Sequence, residues 1–196
     1  NHVDTYGPLW EYASGGVSRL VGGWLDLAET EPGQAADCPD SPDGCRVLTA
    51  YLTGYRLLAI GLTGLAGWLI YGLVRRERPE FALAGLVAWL WNPAVVLASA
   101  LGAHNDGLLL LLLLGSLWAL QKQRWLAGLL LLGLAAHVKV TALVWGPVYA
   151  FWLWRRLGWR RMLGWGALAG ALLLPLSWLL YQPLGGWQTL PRMLGE

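Results

Sequence analysis

The sequence predicts an all-α, multi-pass transmembrane helical bundle, on three observations. Of its 196 residues, 56% are apolar and only 13% charged, where soluble domains carry roughly 25% charged residues. The charges are segregated, with eight of the twelve acids inside residues 1–43 and most of the basic residues beyond 74. The apolar runs approach the ~20 residues that a spanning helix needs and are separated by short basic clusters. A pI near 8.7 is compatible with nucleic-acid binding, but basic residues confined to short clusters between apolar runs form cytoplasmic membrane loops rather than a phosphate-reading face. No nucleic-acid partner is expected.

The chain divides into an extracytoplasmic segment over 1–46, a membrane domain over 47–182 and an extracytoplasmic tail over 183–196. The first opens on "TYGPLWEY", a turn leading into an amphipathic stretch with Trp10, Tyr12, Val17, Leu20, Val21 and Trp24 mostly on one face. Such a helix either lies on the membrane surface or packs against the membrane domain. Cys38 and Cys45 bracket "CPDSPDGC". They are read either as a disulfide, which requires an oxidising compartment, or as two free thiols in a loop.

The membrane domain begins with a long span over 47–74, closed by Arg75, Arg76 and Arg78. A second covers 81–102 and is interrupted by "WNP" at 91–93. A short apolar run over 108–120 ends in "QKQR". Residues 125–154 are broken by "HVK" at 137–139, and "RRLGWRR" at 155–161 precedes a last span over 162–181.

Nine of the fourteen Lys and Arg lie in the clusters 75–78, 122–124 and 155–161. Placing all three on the cytoplasmic side makes 81–120 enter and return, turning near "HND" (104–106), and makes 125–154 turn near HVK. Each arm of the second hairpin is only about 20 Å long at 1.5 Å per residue, short of a hydrocarbon core of about 30 Å. Both turns are therefore expected below the outer surface, facing a cavity, because bare backbone in lipid has no partner. HND, HVK, the N-terminal segment and the C-terminal tail then meet on the outer side, while Trp125, Trp152, Trp154 and Trp159 flank the inner clusters as interfacial anchors.

Ionisable residues inside a membrane are functional hypotheses. Asp106 is the only acid between Phe81 and Gly195. It either caps the leucine helix after it or lines, with His104, a polar pocket at a helix N-terminus. Lys139 sits at the tip of its hairpin with His137 beside it. It pairs with Asp106 or binds a phosphate. Arg56 either snorkels to the outer surface or binds ligand. Metal boxes, nucleophile elbows and Gly-rich phosphate loops are absent from the sequence.

In order, "YGPLWEY", "WNPAVVLASALGAHNDGLLLLLLLGSLW" and "LAGLLLLGLAAHVKVTALVWGPVY" resemble the polyprenol-phosphate-dependent mannosyltransferases of the glycosyltransferase C superfamily. The likeness runs from about residue 4 to 155, and its most specific part is Asn92-Pro93 followed by His104-Asn105-Asp106, with Lys139 and Pro147 in the next hairpin. The resemblance implies a glycosyltransferase C bundle with short re-entering or half-length helices. It also implies transfer of a sugar, above all mannose, from a polyprenyl-phosphate donor to a glycan or glycolipid acceptor at the outer face.

In such enzymes a carboxylate on the first outer loop, after an earlier transmembrane helix, deprotonates the acceptor. The chain is accordingly read as a fragment of a larger membrane protein whose base lies upstream of Asn1, with Asp4 as the substitute. Tyr6, Arg56, His104, Asn105, Asp106, His137 and Lys139 are the substrate-binding candidates. Lys139 and Arg56 would neutralise the leaving phosphate, and the HND residues would bind sugar hydroxyls or hold that cation. No metal is required, although Asp106 with an upstream acid would suit a divalent ion.

Two readings from other classes compete. Polar residues at half-helix breaks are also used by transporters, and polar turns that merely cap helices would suit a structural subunit. Within the enzyme reading, arabinose or glucose are the rival sugars. Arg-over-Lys usage and the Ala, Gly, Leu and Trp content point to a bacterial cytoplasmic membrane.

Overall fold

The structure, a computed structural model, describes residues 7–24, 42–101 and 106–184. Among these residues the secondary structure is entirely helical: α1 (Pro8–Trp24), α2 (Pro42–Glu77), α3 (Ala82–Leu90), α4 (Pro93–Val96), α5 (Asp106–Gln121), α6 (Trp125–Ala136), α7 (Gly146–Leu157) and α8 (Trp159–Tyr181). The chain is a multi-pass membrane protein. Cys45–Glu77 and Trp159–Tyr181 are each long and apolar enough to cross a bilayer, and Pro79–Leu90 with Pro93–Ser99 forms an apolar pair bent by 50°, the geometry of a broken span or a re-entrant loop.

That bend has a local cause. Pro93 has no N–H and cannot continue the helix before it, so the Asn92 side chain takes over as cap and accepts from Ala94 N at 3.0 Å. α3 stays seated on α2, where Trp89 Nε1 donates to Thr63 O at 3.1 Å. A Cβ on Gly67 would press on Leu86, Trp89 and Leu90.

α5 and α6 form an antiparallel hairpin around Lys122-Gln123-Arg124, with Gln123 in the left-handed region (φ 59°). Their approach is unusually close. Ser116 Oγ donates to Gly128 O at 2.6 Å, and a Cβ on Gly128 would lie 2.5 Å from Leu120 Cδ2. Close packing through small residues is how helices associate where lipid offers no hydrophobic drive. The same device recurs at Gly133, whose missing side chain leaves room for Leu173 of α8. Leu120, Leu132, Tyr149 and Leu153 fill the space between α5, α6 and α7.

The expected turn at HVK occurs, with one difference, while the turn near HND lies, apart from Asp106, outside the described residues. α5, at 16 residues, and α6, at 12 residues, are about 24 and 18 Å long, shorter than the hydrocarbon core. The return arm of the second hairpin is longer than expected, because it starts as a 3-10 helix over Val140–Trp145 before α7. A 3-10 stretch rises about 2.0 Å per residue, so this arm reaches about 30 Å.

The three basic clusters share one end of the bundle: Arg76 and Arg78, Gln123 of the α5–α6 turn, and Arg156 all line one cavity. Cation–aromatic pairs mark this end, with Lys122 at 3.7 Å over Trp118, Arg156 at 5.1 Å over Trp152, Arg160 at 5.4 Å over Trp159 and Arg75 at 5.8 Å over Tyr71.

α1 packs on α2. Gly54 admits Val17 and Val21, the Ser18 and Tyr55 hydroxyls share a hydrogen bond of 3.0 Å, and Tyr55 Oη donates to Ser14 O at 3.3 Å. Of the two readings for this helix, docking against the membrane domain is the one observed, although Leu20 on its other face is 77% exposed. Cys45 is disulfide-bonded, and Cys38 is the only other cysteine in the sequence.

Candidate functional site

The site is built around the HVK turn. α6 ends at Ala136, and His137, Val138 and Lys139 close it with backbone bonds to Leu134 O and Ala135 O at 3.0 Å. Val138 is fully buried and pins the turn. Lys139 then takes an extended conformation (φ −154°, ψ 123°), which swings its side chain away from α6.

That swing brings Lys139 Nζ to 3.2 Å from Asp106 Oδ1, so the last residues of HND and HVK, 33 apart in sequence, meet in space. Asp106 is the first residue of α5, where the positive end of the helix dipole also favours a carboxylate. The contact is monodentate. It engages one of two carboxylate oxygens and one of three ammonium donors, and the side chains remain 35% (Lys139) and 48% (Asp106) exposed. An exposed pair of this kind contributes only about 0.2–1 kcal/mol. Its stabilising value is small, and its free lone pairs and protons remain open to a ligand.

His137 is tied into the bundle from both ring nitrogens. Nδ1 donates to Gly133 O at 2.7 Å, since a carbonyl can only accept. Nε2 lies 2.7 Å from Ser177 Oγ, which is also 2.7 Å from Leu173 O; the single hydroxyl proton serves one or the other. Tyr181 stacks at a tilt, 6.1 Å from the imidazole. His137 thus supports the turn that carries Lys139 rather than standing beside it as a second free ligand.

The N-terminal turn docks here too. Gly7 N donates to Val138 O at 2.9 Å and Leu9 N to His137 O at 3.2 Å. Pro8 is fully buried, and a Cβ on Gly7 would collide with the His137 carbonyl. Tyr12 Oη donates to Leu180 O at 3.0 Å, linking α1 to the end of α8. The start of α1, the HVK turn, the start of α5 and the end of α8 therefore gather at the end of the bundle opposite the basic clusters.

Of the substrate-binding candidates, Asp106, Lys139 and His137 come together. Arg56 is exposed on α2, without a hydrogen-bond or ion-pair partner among the described residues. Asp4, Tyr6, His104 and Asn105 lie outside the described residues. No group of three His, Cys, Asp or Glu side chains converges as a metal set among the described residues. Ser177 and Tyr181 are not anticipated by the sequence reading. The signal for Ser177 is a serine two residues after Pro175 in an otherwise apolar helix, since a lone polar residue in such a helix needs an interhelical partner.

Broken and half-length helices that place an Asp–Lys pair at their breaks define a multi-pass membrane protein with a polar site at one end of its bundle. Residues 43–156, from α2 almost to the end of α7, match the family described as alpha-(1->6)-mannopyranosyltransferase, N-terminal domain. The chain belongs to this family. It is also similar to GPI mannosyltransferase 1 of Gibberella zeae, with 37% identity over 91 residues, 45% of this chain and 21% of that protein. The proteins of the same name from Aspergillus oryzae, 40% identical over 97 residues (45% and 22%), and Aspergillus fumigatus, 36% identical over 95 residues (45% and 21%), are similar as well. The chain thus spans about a fifth of the length of the curated relatives it matches. No solved structure gives a significant match.

Proposed function

We propose that this chain forms part of a membrane-embedded mannosyltransferase, which moves mannose from a polyprenyl-phosphate donor to a glycan or glycolipid acceptor at the extracytoplasmic face. The observation that carries this reading is the Asp106–Lys139 pair, held at helix breaks inside the stretch that matches the family.

In such a transfer the acceptor oxygen attacks the anomeric carbon, the bond from that carbon to the phosphate oxygen breaks, and polyprenyl phosphate leaves with added negative charge. A fixed ammonium stabilises charge that develops in the transition state, and Lys139 supplies it. Asp106 holds that ammonium through one oxygen, and its second oxygen accepts from a sugar hydroxyl when donor is bound. The acceptor's base is an acid other than Asp106, with Asp4 as the candidate in this sequence.

The outward orientation is supported by the positive-inside rule applied to the shared basic end and by the Cys45 disulfide, which needs an oxidising compartment. A bacterial membrane remains a reading of composition; the matched relatives are fungal.

The test is transfer from radiolabelled polyprenyl-phosphate mannose in membranes containing the full-length protein. Lys139→Ala is expected to lower turnover by roughly 100-fold or more, and Asp106→Asn to impair transfer comparably, both at unchanged expression. Full activity in both variants would reduce the pair to a helix-end ion pair.

A further inference from the structure

The cavity at the basic end, about 690 Å³ in volume, is remote in the fold from the Asp106–Lys139 site. It lies between the end of α2, the end of α5 and the length of α7. Its walls are apolar, with Leu73, Val74, Leu117 and Val148 among them, and Arg76, Arg78 and Arg156 stand at its rim. Glu77 is the only acid among the described residues that line it, so three cations face one anion there. From Trp145, just before α7, to Arg156 near its end the lining runs about 16 Å at 1.5 Å per residue. Cationic rim and apolar groove thus join end to end.

We propose that this cavity binds an anionic glycerophospholipid of the inner leaflet, with its phosphate among Arg76, Arg78 and Arg156 and an acyl chain along α7. The leaflet assignment rests on the outward orientation of the Asp106–Lys139 end; the binding chemistry does not. Basic pockets between transmembrane helices on the cytoplasmic side are suited to acidic headgroups, and guanidinium forks match phosphate oxygens. None of the three arginines has a carboxylate partner within salt-bridge distance among the described residues. The Arg156 guanidinium is oriented over Trp152, which holds it at the rim.

A second observation narrows the headgroup. Gln121 lines the same cavity, and its Oε1 is buried with no hydrogen-bond partner among the described residues. A buried acceptor of this kind calls for a donor. Phosphatidylglycerol provides both, its phosphodiester the charge and its glycerol hydroxyls the donor, which a turn of the Gln121 side chain toward the cavity would meet, whereas phosphatidylcholine is zwitterionic and has no headgroup donor.

The experiment uses full-length protein purified in detergent, with phosphatidylglycerol, phosphatidylcholine of the same acyl chains, or inorganic phosphate added. Retained lipid is read by native mass spectrometry and thermal stability in parallel. Phosphatidylglycerol adducts are expected to exceed phosphatidylcholine adducts at least 10-fold and to raise the melting temperature, while inorganic phosphate does neither. The R76Q/R78Q/R156Q variant should lose this selectivity. Val148→Trp, which narrows the groove without touching charge, should weaken binding of the lipid.

Equal retention of the two lipids would overturn the proposal. So would selectivity that survives the triple substitution, or a stabilisation reproduced by inorganic phosphate. Failure to retain any lipid would also overturn it. None of these outcomes bears on mannose transfer, which is read separately.

Discussion

Gly7→Ala is a one-methyl change with a large expected effect, because the new Cβ would sit inside van der Waals contact of the His137 carbonyl, 2.5 Å from its carbon. The clash meets backbone on both sides, so no flexible side chain can give way. Undocking the turn removes two hydrogen bonds, Gly7 N to Val138 O and Leu9 N to His137 O. Each contributes about 0.5–1.5 kcal/mol net, so the docked state weakens by about 1–3 kcal/mol, or roughly 5- to 150-fold. Amide hydrogen exchange in the full-length protein reads this directly, as faster exchange at residues 7 and 9 by that factor, with α5 and α6 unchanged. Gly15→Ala is the control. It lies in the adjoining helix with nothing within 4 Å of its Cβ, and should be neutral or gain up to about 1 kcal/mol of helix propensity. Wild-type protection in Gly7→Ala would refute the docking of the N-terminal turn on HVK.

The helix contacts and the His137 support make further predictions. Gly128→Val forces a branched side chain against Leu120 and the Ser116 carbonyl and is expected to cost about 1–3 kcal/mol, measured as a lower thermal transition in detergent; Gly115→Ala on the neighbouring helix, with only ordinary contact to Leu131, should be tolerated. Ser177→Ala removes the partner of His137 Nε2 and should lower stability by about 1 kcal/mol, while Ser177→Thr, which keeps the hydroxyl, restores most of it.

Much of the bundle is legible in the chain because lipid imposes its rules segment by segment. Asn92-Pro93 announces a break, since proline has no N–H to give and asparagine can cap the next helix. HVK announces another, since a lysine and a histidine in a short apolar hairpin need a polar surrounding. The 3-10 start of the return arm is not legible: "VTALVW" is apolar in a way that any helix type accommodates, and only its connection from an extended Lys139 into α7 tightens it. Asp106 and Lys139 each stand out in the sequence, yet their pairing is there only one alternative beside a phosphate role. Ser177, His137 and Gly133 form a cluster across two helices that no local pattern joins.

The class of protein, the positions of the spans and breaks, and the grouping of the basic clusters at one end are all written in the amino-acid order. They arise from partition between water and hydrocarbon, which acts on each segment in turn. Packing in three dimensions was needed to bring Lys139 to Asp106, to hold His137 on Ser177, and to seat the turn at Gly7 on the His137 carbonyl. Helix association within lipid depends on close fit at small residues such as Gly128 and Gly133 and on a few polar contacts. Which helices become neighbours, and in what register, is therefore a property of the packed bundle rather than of any one stretch.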